Sequence, residues 1–455
     1  MISDYLFSLL GYFIDIRVKK NIIELGSSIV TSGHLRLYSM SSDKKEYDVF
    51  KGLLNGHQVN TLTADYTLEA IRDEAIARLG STSHVYALHD GSDIRKAHAK
   101  DMEYLGKVLS LNKQVISGYK TMNSVAVNIS GKDLNLLEHF TYSTHLPNFI
   151  TEERLNALAA DPTIDPDLCE QIKKGAYINN KTAYFQTVQN SHNTLKRANL
   201  DVLITHIQDR EYDGEEYFEF VDDLGDELIS RLKLSRSSNE LIPTWTPKGK
   251  PSVKKVYKKL IDKDFDNQFS YDIARISLKN KTYTNVKCAL EWETLDVNER
   301  TYSVIRITLK DEKGKPLFQH PMMLITNRPI LCADDAKKVY QAYLLRFKIE
   351  VVFRFLKHNL GWETFQVRDF QTIKNLLAFT FFLVGYFKEL EKHIQNHEIY
   401  HLIAQIGGAK GIVSVHFLLK GIEKLVHFQQ VQELIDNNVL TKNDIDEALK
   451  KFNHK

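Results

Sequence analysis

One short stretch of the chain combines a carboxylate with cations at spacings that suit phosphate chemistry. Tyr343, Arg346, Glu350 and Lys357 follow the pattern Y-x2-R-x3-E-x6-K. At about 100° per residue, these four positions fall within an arc of about 60° on a helix that we predict from Ala336 to His358. A carboxylate can hold a hard divalent cation, and flanking cations can hold a phosphodiester beside it. The pattern therefore favours metal-dependent chemistry on a phosphodiester.

The same residues also fit a helix face that only meets solvent. Arg346–Glu350 and Glu350–Arg354 are i,i+4 pairs, each worth roughly 0.2–0.5 kcal/mol in an isolated helix. The opposite side of the predicted helix carries apolar side chains that would pack, namely Leu344, Leu345, Ile349, Val351, Val352, Phe355 and Leu356. Charge pattern alone does not separate the two interpretations, so the choice depends on finding partners for Glu350.

A metal site built on Glu350 requires further carboxylates at strand ends of one sheet. Residues 84–90 predict a short strand that ends at Asp90 and is closed by Gly91-Ser92. Residues 201–208 contain a continuous apolar run that suits a central strand covered on both faces, and Asp209 follows it. Strand, carboxylate, turn and helix is an arrangement that places a ligand at the open edge of a mixed sheet. Asp90 and Asp209 are therefore the candidate partners of Glu350.

These motifs resemble those of one protein family. The spacing around Glu350 matches, residue for residue, the YREK signature of bacterial insertion-sequence DDE transposases of the cut-and-paste type. Asp90-Gly91-Ser92 is similar to the first aspartate motif of that family, and Asp209-Arg210-Glu211 is similar to the second, an Asp-Arg just past a strand. The resemblance implies that Asp90, Asp209 and Glu350 are catalytic and hold two Mg²⁺ ions, for which Mn²⁺ can substitute.

The resemblance also implies DNA-binding residues and partners. Tyr343, Arg346 and Lys357 would grip phosphates at the transposon end, with Arg210 of the second motif beside them. The implied partners are double-stranded DNA, both as terminal inverted repeats of the element and as target, and a second copy of the chain in the DNA complex. The implied reaction nicks and frees the element and joins it to target DNA, without a covalent protein–DNA intermediate.

Alternatives remain for the site and for the function. Neither aspartate motif is decisive alone, because an Asp-Gly pair on a surface is mostly a turn. Asp93 and Asp213 are the nearest alternatives to Asp90 and Asp209. The chain could be a non-catalytic DNA-binding transposase derivative, against which the presence of all three carboxylates argues. It could also be an endonuclease of similar fold without strand transfer, which would keep the carboxylates without needing the cations of the signature.

Composition places the chain among ordinary soluble globular proteins. Its 455 residues are too many for one core and indicate about two to four domains. Hydrophobic residues make up 43% of the chain, and the formal net charge is only +2, so any nucleic-acid surface has to be local. Cys169, Cys288 and Cys332 have no CxxC spacing, which argues against a structural zinc site or a disulfide framework and favours a reducing cytoplasm.

Two apolar runs are candidates for a signal peptide or a membrane span. Tyr5–Ile14 follows an acidic start and precedes its basic residues, unlike a signal peptide. Leu376–Phe387 is far shorter than the roughly 20 residues of a membrane span. Both predict buried helices, and with them a protein that has no membrane partner.

The order of elements predicts an α/β fold. Alternation in Asn123–Ser130 and Leu134–Ser143 extends the strand at 84–90 into an antiparallel meander. A helical, loop-rich section at 152–200 precedes the strand at 201–208, and another helix follows it through Val221. This order, completed by the Glu350 helix, is that of a ribonuclease H-like mixed sheet flanked by helices.

Domain boundaries follow from the same order. We assign residues 1–75 to a helical domain that binds the transposon end, with a purely structural helical cap as the alternative. Residues 76–375 form the catalytic domain, interrupted by a β-rich insertion at 230–322. Residues 376–455 form a helical C-terminal region, for which the resemblance implies dimerisation.

The predicted insertion combines strand patterns with a basic segment near its beginning. Alternation predicts strands at Asp272–Leu278, Lys287–Trp292 and Tyr302–Leu309. Residues 241–260 contain six lysines and no acidic residue, and are stiffened by three prolines. Such a segment could track a phosphate backbone, and a solvated linker is the alternative. The DNA-binding candidates in it are Lys254, Lys255 and Lys258.

One position departs from the family pattern. The family segment Leu-Leu-Thr, with a Trp just before it, aligns with Met323–Thr326, so the Trp position falls on Met322. In hairpin-forming relatives that Trp stacks on a flipped base, and such stacking is worth roughly 1–3 kcal/mol per base. Methionine is polarisable but has no ring face. We predict that Met322 is a weaker base platform; the alternatives are that Trp292 or another aromatic residue of the insertion substitutes for it, or that no base is flipped.

Overall fold

Ten of the twelve strands in the described part of the chain form one mixed β-sheet. The computed structural model describes residues 2–56, 60–128, 130–131, 133–245, 251–278, 281–297, 300–394, 398–410, 414–437, 439, 441 and 443–444. The strands are β1 (His84–Arg95), β2 (Gly106–Leu109), β3 (Val115–Asn128), β4 (Leu134–Tyr142), β5 (Leu203–Gln208), β6 (Glu227–Arg231), β7 (Ser237–Trp245), β8 (Pro251–Lys259), β9 (Asn267–Leu278), β10 (Lys281–Val297), β11 (Arg300–Lys310) and β12 (Met322–Thr326).

The sheet is parallel only at its centre. Within the described residues it has ten strands in the order β2-β3-β1-β5-β6-β12-β11-β10-β9, and β4 pairs with β3 as well. The β1–β5 and β5–β6 pairs are parallel, whereas the other neighbours are antiparallel. β1, β5 and β6 therefore run in the same direction; the carboxyl ends of β5 and β6 meet at one edge, and β1 continues past it to Arg95. A mixed sheet flanked by helices, as predicted, is confirmed.

Helices surround this sheet and precede and follow it. They are α1 (Ile2–Tyr5), α2 (Phe7–Leu10), α3 (Ile16–Ser32), α4 (Leu37–Met40), α5 (Lys44–Leu54), α6 (Ala64–Leu79), α7 (Glu152–Ala160), α8 (Pro166–Lys173), α9 (Asn180–Ala198), α10 (Glu215–Asp223), α11 (Ala333–Leu344), α12 (Phe347–Asn359), α13 (Phe370–Ile394), α14 (Glu398–Ile406) and α15 (Val415–Asp436). Side-chain caps explain several starts: Thr63 accepts a hydrogen bond from the Tyr66 amide at the start of α6, and Asn179 and Thr182 form a capping box at the start of α9.

The antiparallel meander of β1, β3 and β4 is present, but β1 is longer than predicted. Its pairing with β3 continues past Asp90, which faces Asn123, to Arg95, which faces Gly118. The prediction that Gly91-Ser92 closes the strand is therefore wrong. The reason is the long partner strand, whose ladder offers hydrogen bonds to residues that look like a turn when considered alone.

The predicted single helix from Ala336 to His358 is also wrong. It is divided into α11 and α12, because the chain tightens at Leu345–Arg346 through i→i−3 hydrogen bonds. The Arg346 amide donates to the Tyr343 carbonyl at 3.0 Å, and the Ile349 amide donates to the Arg346 carbonyl at 3.1 Å. The predicted apolar face is disturbed accordingly, since Leu344 is 44% exposed while Tyr343 is buried.

The two apolar runs have different outcomes. Leu376–Phe387 lies in α13, whose segment Phe370–Glu391 is the one helix in the described chain with the length and composition to cross a membrane; 83% of its most apolar window is buried in the protein. The predicted buried helix is confirmed there. Tyr5–Ile14 instead forms short pieces, in which Leu9 and Leu10 are buried while Phe7 and Ile14 are exposed, so a single buried helix is wrong.

The β-rich segment extends the main sheet rather than standing beside it. The three predicted strands lie in β9, β10 and β11, and β12 joins them to β6. The basic segment at 241–260 contributes to a separate two-stranded sheet of β7 and β8. The phosphate-binding segment and the solvated linker both stay predictions, and residues 246–250 lie outside the described part of the chain.

Packing crosses the predicted domain boundaries. Buried residues of the N-terminal helices, such as Leu25 and Phe50, belong to the same core cluster as Phe379 of α13 and Val125 of β3. Helix α13 also spans the boundary placed at residue 376. The functional assignments of these regions stay predictions.

Candidate active site

Asp90 and Asp209 lie side by side at the carboxyl edge of two parallel strands. In the register of β1 and β5, Leu88 pairs with Ile207, and two further residues along each strand lead to Asp90 and Asp209. The residues just before them, His89 and Gln208, are fully buried. Because side chains alternate along a strand, the two aspartates face together away from that buried layer.

The junction of α11 and α12 brings the signature residues to this edge. The Tyr343 hydroxyl donates to Asp209 Oδ1 at 3.3 Å. Arg346 Nη1 donates to Asp90 Oδ2 at 3.0 Å, and Arg346 Nη2 lies 3.8 Å from Asp209 Oδ2. The same Nη2 donates to Glu350 Oε1. One guanidinium therefore contacts all three candidate carboxylates, which come from β1, the end of β5 and α12.

The contacts of α12 differ from those of a simple solvated face. Arg346 and Glu350 form their i,i+4 pair. Arg354 is exposed, its guanidinium lies 5.8 Å from the centre of the Phe347 ring, and the described ion pairs do not join it to Glu350. The cation that approaches Glu350 is thus the one that also approaches the two aspartates.

Burial makes this cluster electrostatically unusual. The side chains of Asp90 and Arg346 are 17% and 12% exposed. Burial raises the pKa of Asp90 to about 7; Arg346 opposes the shift, whereas the charges of Asp209 and Glu350 add to it. Burial disfavours the charge of Arg346, but Asp90 and Asp209 outweigh it and raise the pKa of Arg346. The cluster is therefore rich in negative charge that a further cation would neutralise.

Tyr343 is held as a neutral donor. It is buried, and burial together with the charge of Asp209 raises its pKa to about 12. It therefore keeps its proton at neutral pH and orients the Asp209 carboxylate by donating to it.

Lys357 lies further along α12 and does not contact the three carboxylates. Its Nζ donates to the backbone carbonyl of Asp93 at 2.7 Å and lies 3.3 Å from Glu363 Oε1. Burial lowers the pKa of Lys357, and Glu363 opposes that shift. Lys357 thus connects α12, β1 and the segment after α12.

The two rival aspartates are engaged elsewhere. Asp93 Oδ2 accepts from the Leu109 amide of β2 at 3.0 Å. Asp213 is buried and accepts from Arg236 Nη2 at 2.6 Å and from the Lys233 amide at 2.7 Å. These contacts hold loops and strand ends together, and they leave Asp90 and Asp209 as the aspartates that meet Arg346.

The other predicted DNA-binding residues are dispersed. Arg210 is exposed in a 3-10 turn directly after Asp209. Met322 is half-buried at the start of β12, which runs antiparallel to β6, so it lies at the sheet edge where β6 ends. Trp292 is buried on β10, three strands or roughly 14 Å from β6. The side chains of the basic strand β8 lie outside the described part of the chain, namely Lys254, Lys255 and Lys258.

Three charged residues around this site had no role predicted from the sequence, although Glu211 belongs to the second aspartate motif. Arg231 Nη1 lies 4.0 Å from Asp209 Oδ1, at the end of β6. Glu211 contributes to the raised pKa of Asp90, and Glu363 pairs with Lys357. The short apolar run before Arg231 is the signal that could have placed it at a strand end, because parallel neighbours end at the same edge.

The donor set suits Mg²⁺ by chemistry, since carboxylate oxygens are its preferred protein ligands. As the side chains stand, the part of the chain that the structure describes contains no group of three His, Cys, Asp or Glu residues arranged to hold a metal ion. Arg346 takes the contacts that a metal would need. The carboxylate oxygens are therefore suitable ligands for the ion. In their present positions, however, the carboxylates are partly neutralised by the guanidinium of Arg346.

Comparison with protein-family models found no match to the chain, and comparison with curated proteins found none either. The motifs and the geometry of this site are therefore the observations that bear on function.

Proposed function

We propose that this protein is a divalent-metal-dependent DNA transposase of the DDE type. One observation carries the proposal: Asp90, Asp209 and Glu350, distant in the sequence, converge on a single guanidinium at the edge of the central sheet. Three half-buried carboxylates gathered around one guanidinium are costly unless their charge is compensated, so such clusters commonly mark functional sites.

The fold supports the proposal through the order of its elements. An antiparallel meander leads into parallel strands that carry both aspartates, and a later helix supplies Glu350. We propose that this central part is a ribonuclease H-like sheet, which β9 to β12 extend on one side.

The roles proposed for the residues combine what the resemblance implies with the contacts of the site. Asp90, Asp209 and Glu350 would hold two Mg²⁺ ions, or Mn²⁺ in their place. Bound there, these ions would activate water or a 3′-hydroxyl and stabilise the leaving oxygen of an in-line displacement. Tyr343 orients Asp209, and Arg346 and Lys357 supply the positive charge that holds phosphates beside the carboxylates.

A basic cleft lined in part by Glu363, the partner of Lys357, supports DNA as the substrate. The cleft has a volume of about 570 Å³ and lies between the end of β1 and the segment after α12. Basic residues outnumber acidic residues in its lining, although burial lowers the pKa of one of them, Lys96, to about 7. The basic residues are Arg36, Arg95, Lys96, Lys100 and Arg368. Such a surface suits a phosphate backbone.

The proposal includes a homodimer in the DNA complex. Apolar side chains are exposed along α14 and α15, among them Leu402 and Phe428, the latter 66% exposed. Exposed apolar side chains on neighbouring helices suit contact with a second copy of the chain.

A second function has one observation in its favour. The guanidinium between the carboxylates, and the lack of a ready metal group in the described residues, would also suit a non-catalytic DNA-binding derivative. An endonuclease without strand transfer uses the same carboxylates, so only the products distinguish it.

The test is a joining reaction. Purified protein is incubated with a supercoiled plasmid, Mg²⁺ and a linear DNA that carries the sequences flanking its gene. Joined products support a transposase, cleavage without joining indicates an endonuclease, and binding alone indicates the non-catalytic derivative. Glu350→Gln should abolish the products, whereas Arg354→Gln, a change on the next turn of the same helix, should retain them.

A further inference from the structure

The position of Arg346 suggests a role before any metal binds. We infer that Arg346 occupies the cation site of the DNA-free protein, so that a divalent ion binds only when the guanidinium leaves the carboxylates. This inference rests on the proposed metal-dependent function, and it adds a competition between the protein's own side chain and the ion.

The contacts of Arg346 are those of a substitute cation. Its Nη1 donates to Asp90 Oδ2 at 3.0 Å, and its Nη2 donates to Glu350 Oε1 and lies 3.8 Å from Asp209 Oδ2. These carboxylate oxygens are the atoms that a metal would need. Mg²⁺ binds carboxylate oxygens at roughly 2.0–2.1 Å, and a guanidinium at hydrogen-bond distance holds its positive charge against the same groups, so the ion and the guanidinium repel each other there.

Charge explains why the competition should be measurable. With Arg346 in place, the three carboxylates are partly neutralised and attract an incoming ion less strongly. Removing Arg346 leaves Asp90, Asp209 and Glu350 facing one another with little compensation, which disfavours the empty cluster and favours any cation that fills it. Divalent ions should therefore bind a variant without this guanidinium more tightly than they bind the wild type.

The position of Arg346 in the backbone also suits a side chain that changes partners. It stands at the junction between α11 and α12, where the i→i−4 ladder is interrupted. Its planar fork matches phosphate as well as it matches carboxylate. A DNA phosphate is thus the group that would bind the guanidinium when the ion binds the carboxylates.

Arg354 provides a matched control. It lies on α12 four residues after Glu350, as Arg346 lies four residues before it, so Arg354→Gln removes the same formal charge at the same separation in sequence. Its guanidinium lies against Phe347 and is exposed. An effect of net charge alone would appear in both variants, whereas displacement of an occupant would appear only in Arg346→Gln.

The experiment measures Mn²⁺ binding without DNA. Free Mn²⁺ is followed by electron paramagnetic resonance at neutral pH and constant ionic strength, for wild type, Arg346→Gln, Arg346→Lys and Arg354→Gln. Arg346→Gln should bind roughly 5–150-fold more tightly than wild type, the usual range for coupling between two sites. Arg346→Lys, which keeps the charge but loses the fork, should lie between them. Arg354→Gln should resemble wild type.

The outcomes separate this inference from the proposed function. Measurable but equal Mn²⁺ affinity in wild type and Arg346→Gln overturns the inference and leaves the metal site standing. No binding by any of the four proteins overturns the proposed function and the inference together. Adding Glu350→Gln to Arg346→Gln should remove the gain; a gain that persists places the ion elsewhere and overturns the inference. If Arg346→Gln does not fold, Arg346→Lys decides, because it should still exceed wild type.

Discussion

Lys357 Nζ on α12 donates a hydrogen bond of 2.7 Å to the backbone carbonyl of Asp93, three residues beyond Asp90 on β1. This bond ties the helix that carries Glu350 to the strand that carries Asp90. The same ammonium lies 3.3 Å from Glu363, which also pairs with Arg95 at 3.8 Å. Lys357 therefore has a structural task in the DNA-free protein in addition to its proposed contact with phosphate.

Replacing Lys357 should reveal both tasks. Lys357→Met keeps the apolar stem but leaves the Asp93 carbonyl without its donor, so the free energy of unfolding should fall by roughly 1–3 kcal/mol in urea denaturation. If Lys357 also binds phosphate, the slope of log affinity for duplex DNA against log salt should flatten by about one. Lys348→Met, an exposed change on α12, serves as control. An unchanged slope with lowered stability would restrict Lys357 to the structural task.

Substitution of the carboxylates should separate chemistry from DNA binding. Cleavage of DNA that contains the element ends should be abolished by Asp90→Asn, by Asp209→Asn and by Glu350→Gln. Binding of that DNA should stay nearly intact, because each variant removes a proposed metal ligand rather than a DNA contact. Gel assays of cleavage and of binding check this. Asp93→Asn is the neighbouring control and should still cleave. Full cleavage by any of the three variants would remove that residue from the catalytic set.

Met322 should act as a base platform of limited strength. Met322→Trp should preserve or raise cleavage, since an aromatic ring stacks on a flipped base by roughly 1–3 kcal/mol. Met322→Asp should reduce cleavage sharply, with the folded state verified by circular dichroism because Met322 is half-buried. Fluorescence of 2-aminopurine placed near the cleavage site reports unstacking. Normal cleavage by wild type without a fluorescence rise would exclude base flipping from the mechanism.

Stability should decrease in mild acid because of a buried histidine. His139 on β4 lies 2.7 Å from Asn123 Oδ1 and 2.8 Å from Thr141 Oγ1, and burial lowers its pKa to about 3. The unfolded chain takes up this proton near pH 6.5, whereas the folded chain does not. The stabilisation by neutral His139 is therefore complete above pH 6.5 and is lost as the pH falls toward 3.

Urea denaturation at two pH values measures this effect. Between pH 7 and pH 5, the contribution of His139 to the free energy of unfolding should fall by about 2 kcal/mol. His139→Gln should be less stable at pH 7 but should lose less on acidification than wild type. His98→Gln, an exposed change, should follow wild type. An equal acid loss in wild type and His139→Gln would assign the pH dependence to other groups.

Local sequence determined much of the architecture. The alternation in 123–130 and 134–143 predicted β3 and β4, the apolar run at 201–208 predicted β5, and the run at 376–387 predicted the buried α13. These predictions hold because each depends on side chains that are neighbours in the chain, so periodicity reports directly which face is buried. Strand patterns also placed Asp90 and Asp209 on or just after strands, but their pairing was proposed from the resemblance and from the need for partners of Glu350.

Tertiary structure decided what those patterns leave open. The extension of β1 to Arg95 depends on its partner β3, and the interruption of the helix at Arg346 depends on how α11 and α12 pack over the sheet edge. The approach of Arg231 to Asp209 depends on the order of β5 and β6. A helical projection could pair Arg346 with Glu350, but not with aspartates from β1 and β5. That convergence requires long-range pairing, because contacts between residues far apart in the chain are set by the packing of whole elements rather than by local periodicity.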